Sequence, residues 1–100
     1  MGDRDLLDVP ALAGLRREID AIDTELVALL RRRLDVVERV LVVKRGDGLP
    51  ANIPARVEQV VETVRERALE AGLPPELAEI LWRPLIGWTI AYEEGRLTPL

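Results

Sequence analysis

The stretch that decides the fold is residues 10–45, PALAGLRREIDAIDTELVALLRRRLDVVERVLVVKR. Pro10 suits the first turn of a helix and Asp8 is the expected N-cap, whereas Gly46-Asp47-Gly48 and Pro50 end the segment. Apolar side chains recur at alternating steps of three and four residues: Leu15, Ile19, Ile22, Leu26, Leu29, Val36, Val40 and Val43. The pattern predicts one helix, roughly 50 Å long.

Two shorter helices are expected to follow. The second runs from Pro54 to Gly72, and the third opens at Pro74-Pro75 and ends near Gly95. Pro84 lies inside the third helix and should kink it or break it locally. The inward-facing residues are expected to be Val57, Val60, Val61, Val64 and Leu69 on the second helix, and Leu77, Ile80, Leu81, Leu85, Trp88 and Tyr92 on the third.

The fold class is therefore all-α, with three helices of which one is very long. Two short helices cannot cover such a long one, so we expect an intertwined homodimer that shares the long helices. The alternative is a monomeric three-helix bundle in which the long helix breaks near Gly14. In either case residues 1–100 should form a single domain with its core in 10–95 and frayed ends at 1–7 and 97–100.

Composition excludes several classes of function. The 100 residues contain no Cys and no His, which removes disulfides, thiolate catalysis and the usual neutral-pH base. A net charge of -4 argues against binding to nucleic acid. An acidic N-terminus and the lack of a long apolar run indicate a cytoplasmic protein with no contact to membranes. No signature of a metal, nucleotide or flavin is present, so no cofactor is expected.

Cations interrupt the apolar pattern of the long helix. Arg33 falls where the next apolar residue should stand, and Lys44, the only Lys in the chain, lies within about 20° of it and some 16 Å further along. Arg16 is about 100° away from Arg33 and about 25 Å distant, but in an antiparallel dimer Arg16 of the partner subunit could reach it. Alternatively, Arg33 extends to solvent or pairs with an acid, and Arg16 is a surface residue.

Three further residues add polar groups. Arg56 opens the second helix, where a cation is unfavourable to the helix dipole, and Thr89 and Glu93 share one face of the third helix. The alternative for Thr89 and Glu93 is a polar stripe on an exposed side. Taken together, several cations, one hydroxyl and one carboxyl suit a small dianionic substrate in a pericyclic reaction, which needs shape and electrostatics rather than a nucleophile.

The sequence resembles the all-helical chorismate mutase family over about residues 12–95. The residues that carry the resemblance are Leu15-Arg16-x-x-Ile19-Asp20-x-Ile22-Asp23, Leu29-Leu30-x-x-Arg33, Val40-x-x-x-Lys44, the loop from Pro50 to Arg56, and Ala71-Gly72-Leu73. The resemblance implies an intertwined helical homodimer with two active sites, each of which receives Arg16 from the other chain. It also implies that no cofactor takes part.

The resemblance also implies roles for individual residues. Arg16 of the partner subunit, Arg33 and Arg56 would bind the carboxylates of the substrate. Lys44 would bind a carboxylate and the ether oxygen, on which charge builds as the C–O bond breaks. Thr89 fills a position that is often Ser in the family.

Three positions depart from the family pattern. Glu93 stands where many members carry a Gln that donates to the ether oxygen, and a carboxyl can donate only when it is protonated. Ile53 stands where bacterial members often have Asp, and Val57 replaces a Glu that typically meets the C4 hydroxyl. We therefore expect Glu93 to act in its neutral form and the C4 region of the substrate to be bound differently.

Several functions remain open at this point. Residues 54–57 and 88–91 also resemble isochorismate pyruvate-lyases and 4-amino-4-deoxychorismate mutases. Mutase chemistry on chorismate or its 4-amino analogue is the first expectation, since Glu93 departs from the usual Gln of the lyases. Production of salicylate and pyruvate from isochorismate is the second. A non-catalytic helical dimerisation module is the alternative from another class.

Overall fold

The computed structural model describes residues 2–97. A short 3-10 helix, Asp3–Asp8, precedes three α-helices: α1, Pro10–Asp47, α2, Pro54–Glu70, and α3, Pro75–Leu97. No strand occurs within this part of the chain. The all-α class with one very long helix is confirmed.

None of the helices in residues 2–97 combines the length and hydropathy that a membrane span needs. A cytoplasmic location stays a prediction.

The chain divides into two compact units, Met1–Val36 and Val37–Leu100, and α1 contributes to both. A single domain, with its core in residues 10–95, stays a prediction. So does the fraying of residues 1–7 and 97–100, of which 1 and 98–100 lie outside the described residues. The 3-10 helix contains no buried residue, and Gly2 N donates to Asp5 Oδ2 at its start.

The ends of α1 differ slightly from those expected. Asp8 is the last residue of the 3-10 helix rather than the N-cap, because Val9 separates it from the first helical residue, Pro10. The helix is continuous past Gly14, so a break there is not observed within residues 10–47. At the other end Gly48 has φ 65° and lets Leu49 N donate to the Lys44 carbonyl at 2.8 Å, which ends the helix.

The connection between α2 and α3 also contains a glycine of positive φ. Gly72 adopts φ 77°, Gly72 N donates to Leu69 O, and Leu73 N donates to Ala68 O at 2.8 Å. This is a Schellman motif, in which glycine takes the left-handed conformation. The sequence therefore locates the turn correctly, although α2 ends at Glu70 and not at Gly72.

The helix α3 continues through Pro84 without the local break that the sequence suggested. Proline removes one N–H, so the carbonyl of Ile80 loses its helical partner. Because Ile80 lies on an exposed part of α3, water can hydrogen-bond to that carbonyl. The internal proline therefore destabilises α3 by less than it would if that carbonyl were buried without a hydrogen-bond partner.

The core of the second unit is small. Its buried apolar residues are Leu41, Ala51, Val61, Ala68, Ala78 and Ile86. Val57, Val60 and Val64 are half-buried as expected, but Leu69 is 71% exposed, and Ala68 takes its place. On α3, Leu77, Ile80, Leu81 and Trp88 are exposed, so their predicted inward orientation is wrong within this chain.

A charge network joins α2 to α3 on the surface. Arg83 contacts Glu58 at 3.1 Å and Glu79 at 2.6 Å, and Arg65 contacts Glu79 at 2.8 Å. The hydrogen bond from Arg83 holds the pKa of Glu79 below its ordinary value. The network adds polar contacts beside the buried apolar residues that α2 and α3 share.

Leu41 is the best test of this core, since its side chain is 0% exposed. We expect Leu41→Ala to lower the free energy of unfolding by about 2–5 kcal/mol, because it leaves a cavity among residues that cannot fully collapse. The neighbouring Val42, 66% exposed, gives the matched control, and Val42→Ala should change stability by less than about 0.5 kcal/mol. Urea denaturation at one protein concentration measures both; equal losses would place Leu41 outside the core.

Candidate active site

The ammonium of Lys44 is held at the C-terminal end of α1. The chain turns at Gly48 and returns so that the carbonyl of Ala51, a buried residue, accepts a hydrogen bond from Lys44 Nζ at 2.9 Å. A lysine side chain has four flexible carbons, and this contact fixes its end. The loop after α1 therefore sets where the positive charge lies.

Glu93 of α3 supplies the counter-charge. Lys44 Nζ lies 3.2 Å from Oε2 and 3.3 Å from Oε1 of Glu93, and the two side chains are only 12% and 6% exposed. The exposed-stripe alternative is therefore wrong for Glu93. Charged groups are buried in this way only when they are paired, because each loses its hydration. The geometry brings together two of the residues selected from the sequence.

Thr89 lies one turn before Glu93 on the same helix and is half-buried. Its hydroxyl donates to the carbonyl of Leu85 at 2.8 Å. The hydroxyl is thus oriented by its own helix.

Two aromatic side chains and an arginine contact one another in the C-terminal part of α3. Trp88 stacks on Tyr92 with ring centroids 5.1 Å apart, and the Arg96 guanidinium lies 3.4 Å from the Tyr92 ring centre. The Tyr92 hydroxyl donates to the Glu38 carboxylate, and this hydrogen bond raises the pKa of Tyr92. Of these contacts, the hydrogen bond to Glu38 joins α3 to the segment of α1 that carries Lys44.

The start of α2 carries the remaining residues selected in the second unit. Ile53 is half-buried, and its carbonyl accepts from the backbone N–H groups of Arg56 and Val57 at 2.9 and 3.2 Å. Arg56 is exposed and donates to Gln59 Oε1 at 2.8 Å. Its guanidinium is held by a neutral amide, so its charge remains available to an anion.

A cavity of about 310 Å³ lies beside Val57, between α2 and α3. Residues that line it include Asn52, Val57, Glu58, Arg83, Ile86 and Ile90. Sequence reasoning did not select Asn52 or Arg83, although the i, i+4 spacing of Glu79 and Arg83 was a signal of an ion pair. The apolar part of the cavity wall is formed by Val57, Ile86 and Ile90. Arg83, which also lines the cavity, is already paired with two carboxylates.

Arg16 and Arg33 belong to the first unit. Arg16 Nη1 donates to the carbonyls of Leu6 and Leu7 at 3.0 and 2.9 Å, so this half-buried side chain is not an unattached surface group. Arg33 is half-buried too, whereas Arg31 is exposed and pairs with Asp35 at 2.5 Å. Of the consecutive arginines 31–33, Arg33 is thus the least exposed.

The groups that sequence reasoning missed are main-chain carbonyls, those of Leu6, Leu7 and Ala51. Every residue carries a carbonyl, so no residue type marks one that orients a cation. The structure alone identifies them.

The arrangement offers fixed cations, a hydroxyl and a carboxyl, and within residues 2–97 no three acidic side chains are placed to hold a metal ion. Such a set binds and stabilises anions.

The model of the family described as chorismate mutase type II matches residues 15–94. The chain belongs to this family and is a chorismate mutase-like isomerase acting on a chorismate-like substrate. Comparison with curated proteins found none similar enough to match.

The burial of the Lys44–Glu93 pair has a measurable consequence. We expect Lys44→Ala to destabilise the protein by about 3 kcal/mol, since it leaves the Glu93 carboxylate buried without its partner. In a double-mutant cycle with Glu93→Ala the coupling energy should exceed about 1 kcal/mol.

The exposed pair Arg67–Glu70, 3.3 Å apart, is the matched control and should couple by less than about 0.5 kcal/mol. Urea denaturation of the two sets of variants gives both coupling energies. A coupling at Lys44–Glu93 no larger than at Arg67–Glu70 would contradict a buried ion pair.

Proposed function

We propose that the chain catalyses the Claisen [3,3] rearrangement of chorismate to prephenate, with 4-amino-4-deoxychorismate as the alternative substrate. The observation that carries this proposal is the ammonium of Lys44, buried and held between the Ala51 carbonyl and the Glu93 carboxylate. The family to which the chain belongs supports mutase-type chemistry in general.

In this rearrangement the C–O bond of the enol ether breaks while a C–C bond forms in the same step. No atom, proton or electron passes between substrate and protein, so the absence of His and Cys is no obstacle. Negative charge grows on the ether oxygen as the C–O bond lengthens. A fixed ammonium at Lys44 interacts more strongly with that oxygen in the transition state than in the ground state, which lowers the barrier.

The remaining residues bind and shape the substrate. Arg33, Arg56 and Arg16 of the partner subunit bind its two carboxylates, for which guanidinium groups are suited. The Thr89 hydroxyl adds a neutral hydrogen bond. Ile53 and Val57 form an apolar wall at the C4 region, which other members line with carboxylates.

The site is completed by a second copy of the chain, in an intertwined homodimer. The support for this is the apolar stripe of α1 in the first unit: Leu15, Ile19, Ile22, Leu26 and Leu29 are each more than half exposed. Apolar side chains repeated along one face of a helix require a partner.

The ion pair bears on the choice of substrate. An ionised Glu93 could attract an ammonium at C4, as in 4-amino-4-deoxychorismate. The pair with Lys44 has no net charge, however, which removes most of that attraction. Chorismate is therefore the first candidate, and isochorismate, the substrate of a lyase, is the third.

Product analysis tests the proposal directly. Purified protein is incubated separately with chorismate, isochorismate and 4-amino-4-deoxychorismate. We expect prephenate from chorismate, because its reaction needs only fixed charges. The amino analogue of prephenate as the main product would establish the alternative substrate. Salicylate with pyruvate would assign the chain to the lyases, and no turnover of any of the three would contradict the proposal.

Arg33→Ala separates catalysis from a purely structural role. We expect kcat/KM to fall about hundredfold or more while the mass of the dimer in light scattering is unchanged. Arg31→Ala, at an exposed position in the same run, should leave both unchanged. Higher stability of Arg33→Ala with no change in ligand binding would favour the non-catalytic dimerisation module.

That Glu93 acts in its neutral form, as the sequence suggests, stays a prediction. We expect Glu93→Gln to retain kcat and Glu93→Ala to lose it, because only the amide can still donate a hydrogen bond to the ether oxygen. Steady-state kinetics of the two variants at one pH measures this. Equal kcat values in Glu93→Gln and Glu93→Ala would mean that Glu93 acts only as the partner of Lys44.

A further inference from the structure

The 3-10 helix Asp3–Asp8 lies against a residue that the proposed function places in the active site. Both hydrogen bonds of this contact run from Arg16 Nη1, to Leu6 O at 3.0 Å and to Leu7 O at 2.9 Å. The side chains of Leu6 and Leu7 are exposed, so burial does not hold the segment in place. The carbonyls, not the side chains, are what the segment presents to α1.

The geometry divides the guanidinium into two edges. Nη1 carries two hydrogens, and two carbonyls can accept both of them. The opposite edge, formed by Nε and Nη2, is the one that binds a carboxylate with two parallel hydrogen bonds. Carbonyls are neutral acceptors, so Arg16 retains its full positive charge while its orientation is fixed.

We propose that residues 3–8 are a positioning segment, which orients Arg16 so that its Nε–Nη2 edge meets a substrate carboxylate in the active site of the partner subunit. The inference rests on the proposed binding role of Arg16. Leu6 and Leu7 act through Arg16 and are positioning residues; they do not touch the substrate.

The physical effect is preorganisation. An arginine on a helix surface samples many rotamers, and binding must otherwise restrict them. The segment restricts them before the substrate arrives. Because the carboxylate is present in both ground and transition states, the benefit should appear mainly in KM rather than in kcat.

The experiment uses the full chain with Leu6→Gly/Leu7→Gly, and Leu6→Ala/Leu7→Ala as the matched control. Both variants remove the exposed leucine side chains beyond Cβ, but glycine also frees the backbone that carries the two carbonyls. We expect the Gly variant to raise KM about two- to tenfold relative to the Ala variant, with kcat changed less. Circular dichroism and light scattering check that helix content and mass are the same.

Repeating the pair in an Arg16→Ala background tests whether the effect passes through Arg16. There the Gly and Ala variants should have equal KM. A Gly variant equal to the Ala variant with Arg16 present would overturn the positioning role, and so would a lower KM, which would mean that the carbonyls compete with the substrate. If Arg16→Ala alone leaves kcat/KM unchanged, the proposed role of Arg16 itself is wrong, whatever the segment does.

Discussion

The buried ion pair of Lys44 and Glu93 is the contact on which the second unit depends. Neither charge could stay out of water alone, because the loss of hydration outweighs any packing that these side chains make. Together they join the end of α1 to α3, and the Ala51 carbonyl adds the returning loop. The apolar core around them is small, and three of its six buried residues are alanines. A polar contact therefore sets the relative placement of these elements.

This constraint also suits the chemistry of the family. A pericyclic rearrangement takes nothing from the protein, so a site for it consists of charges held in fixed places. An ammonium that moved freely would have to be reoriented in each turnover. The loss of hydration of Lys44 and Glu93 occurs during folding, and under the proposed function the fixed ammonium that results is what favours the transition state.

Much of the fold follows from local signals in the sequence. Gly48 and Gly72 mark the ends of α1 and α2 because each must adopt a positive φ, and Pro10, Pro54 and Pro75 stand at helix starts. The faces of α3 could not be predicted as well. That helix is rich in apolar residues on more than one side, so periodicity does not single out the side that packs on α2.

Residues of the candidate site could be predicted where their type or spacing is unusual in this sequence. Lys44 stood out as the only lysine among thirteen arginines, and Glu93 as a carboxyl spaced one helical turn from Thr89. Pairing between residues 49 positions apart has no such signal, because it depends on how α1 and α3 are placed. The carbonyls that hold Lys44 and Arg16 are invisible in the sequence for a different reason, since every residue carries one.

The acceptors chosen for the two cations differ in a way that matters for anion binding. Lys44 is held by a carbonyl and a carboxylate, so part of its charge is compensated before a substrate arrives. Arg16 is held by two carbonyls, which fix its direction and leave its charge intact. An oriented cation with neutral partners attracts a carboxylate strongly, whereas a cation paired with an acid attracts one less strongly but offers a hydrogen-bond donor at a fixed place. Under the proposed function, this distinction suits Arg16 to substrate capture and Lys44 to contact with the ether oxygen.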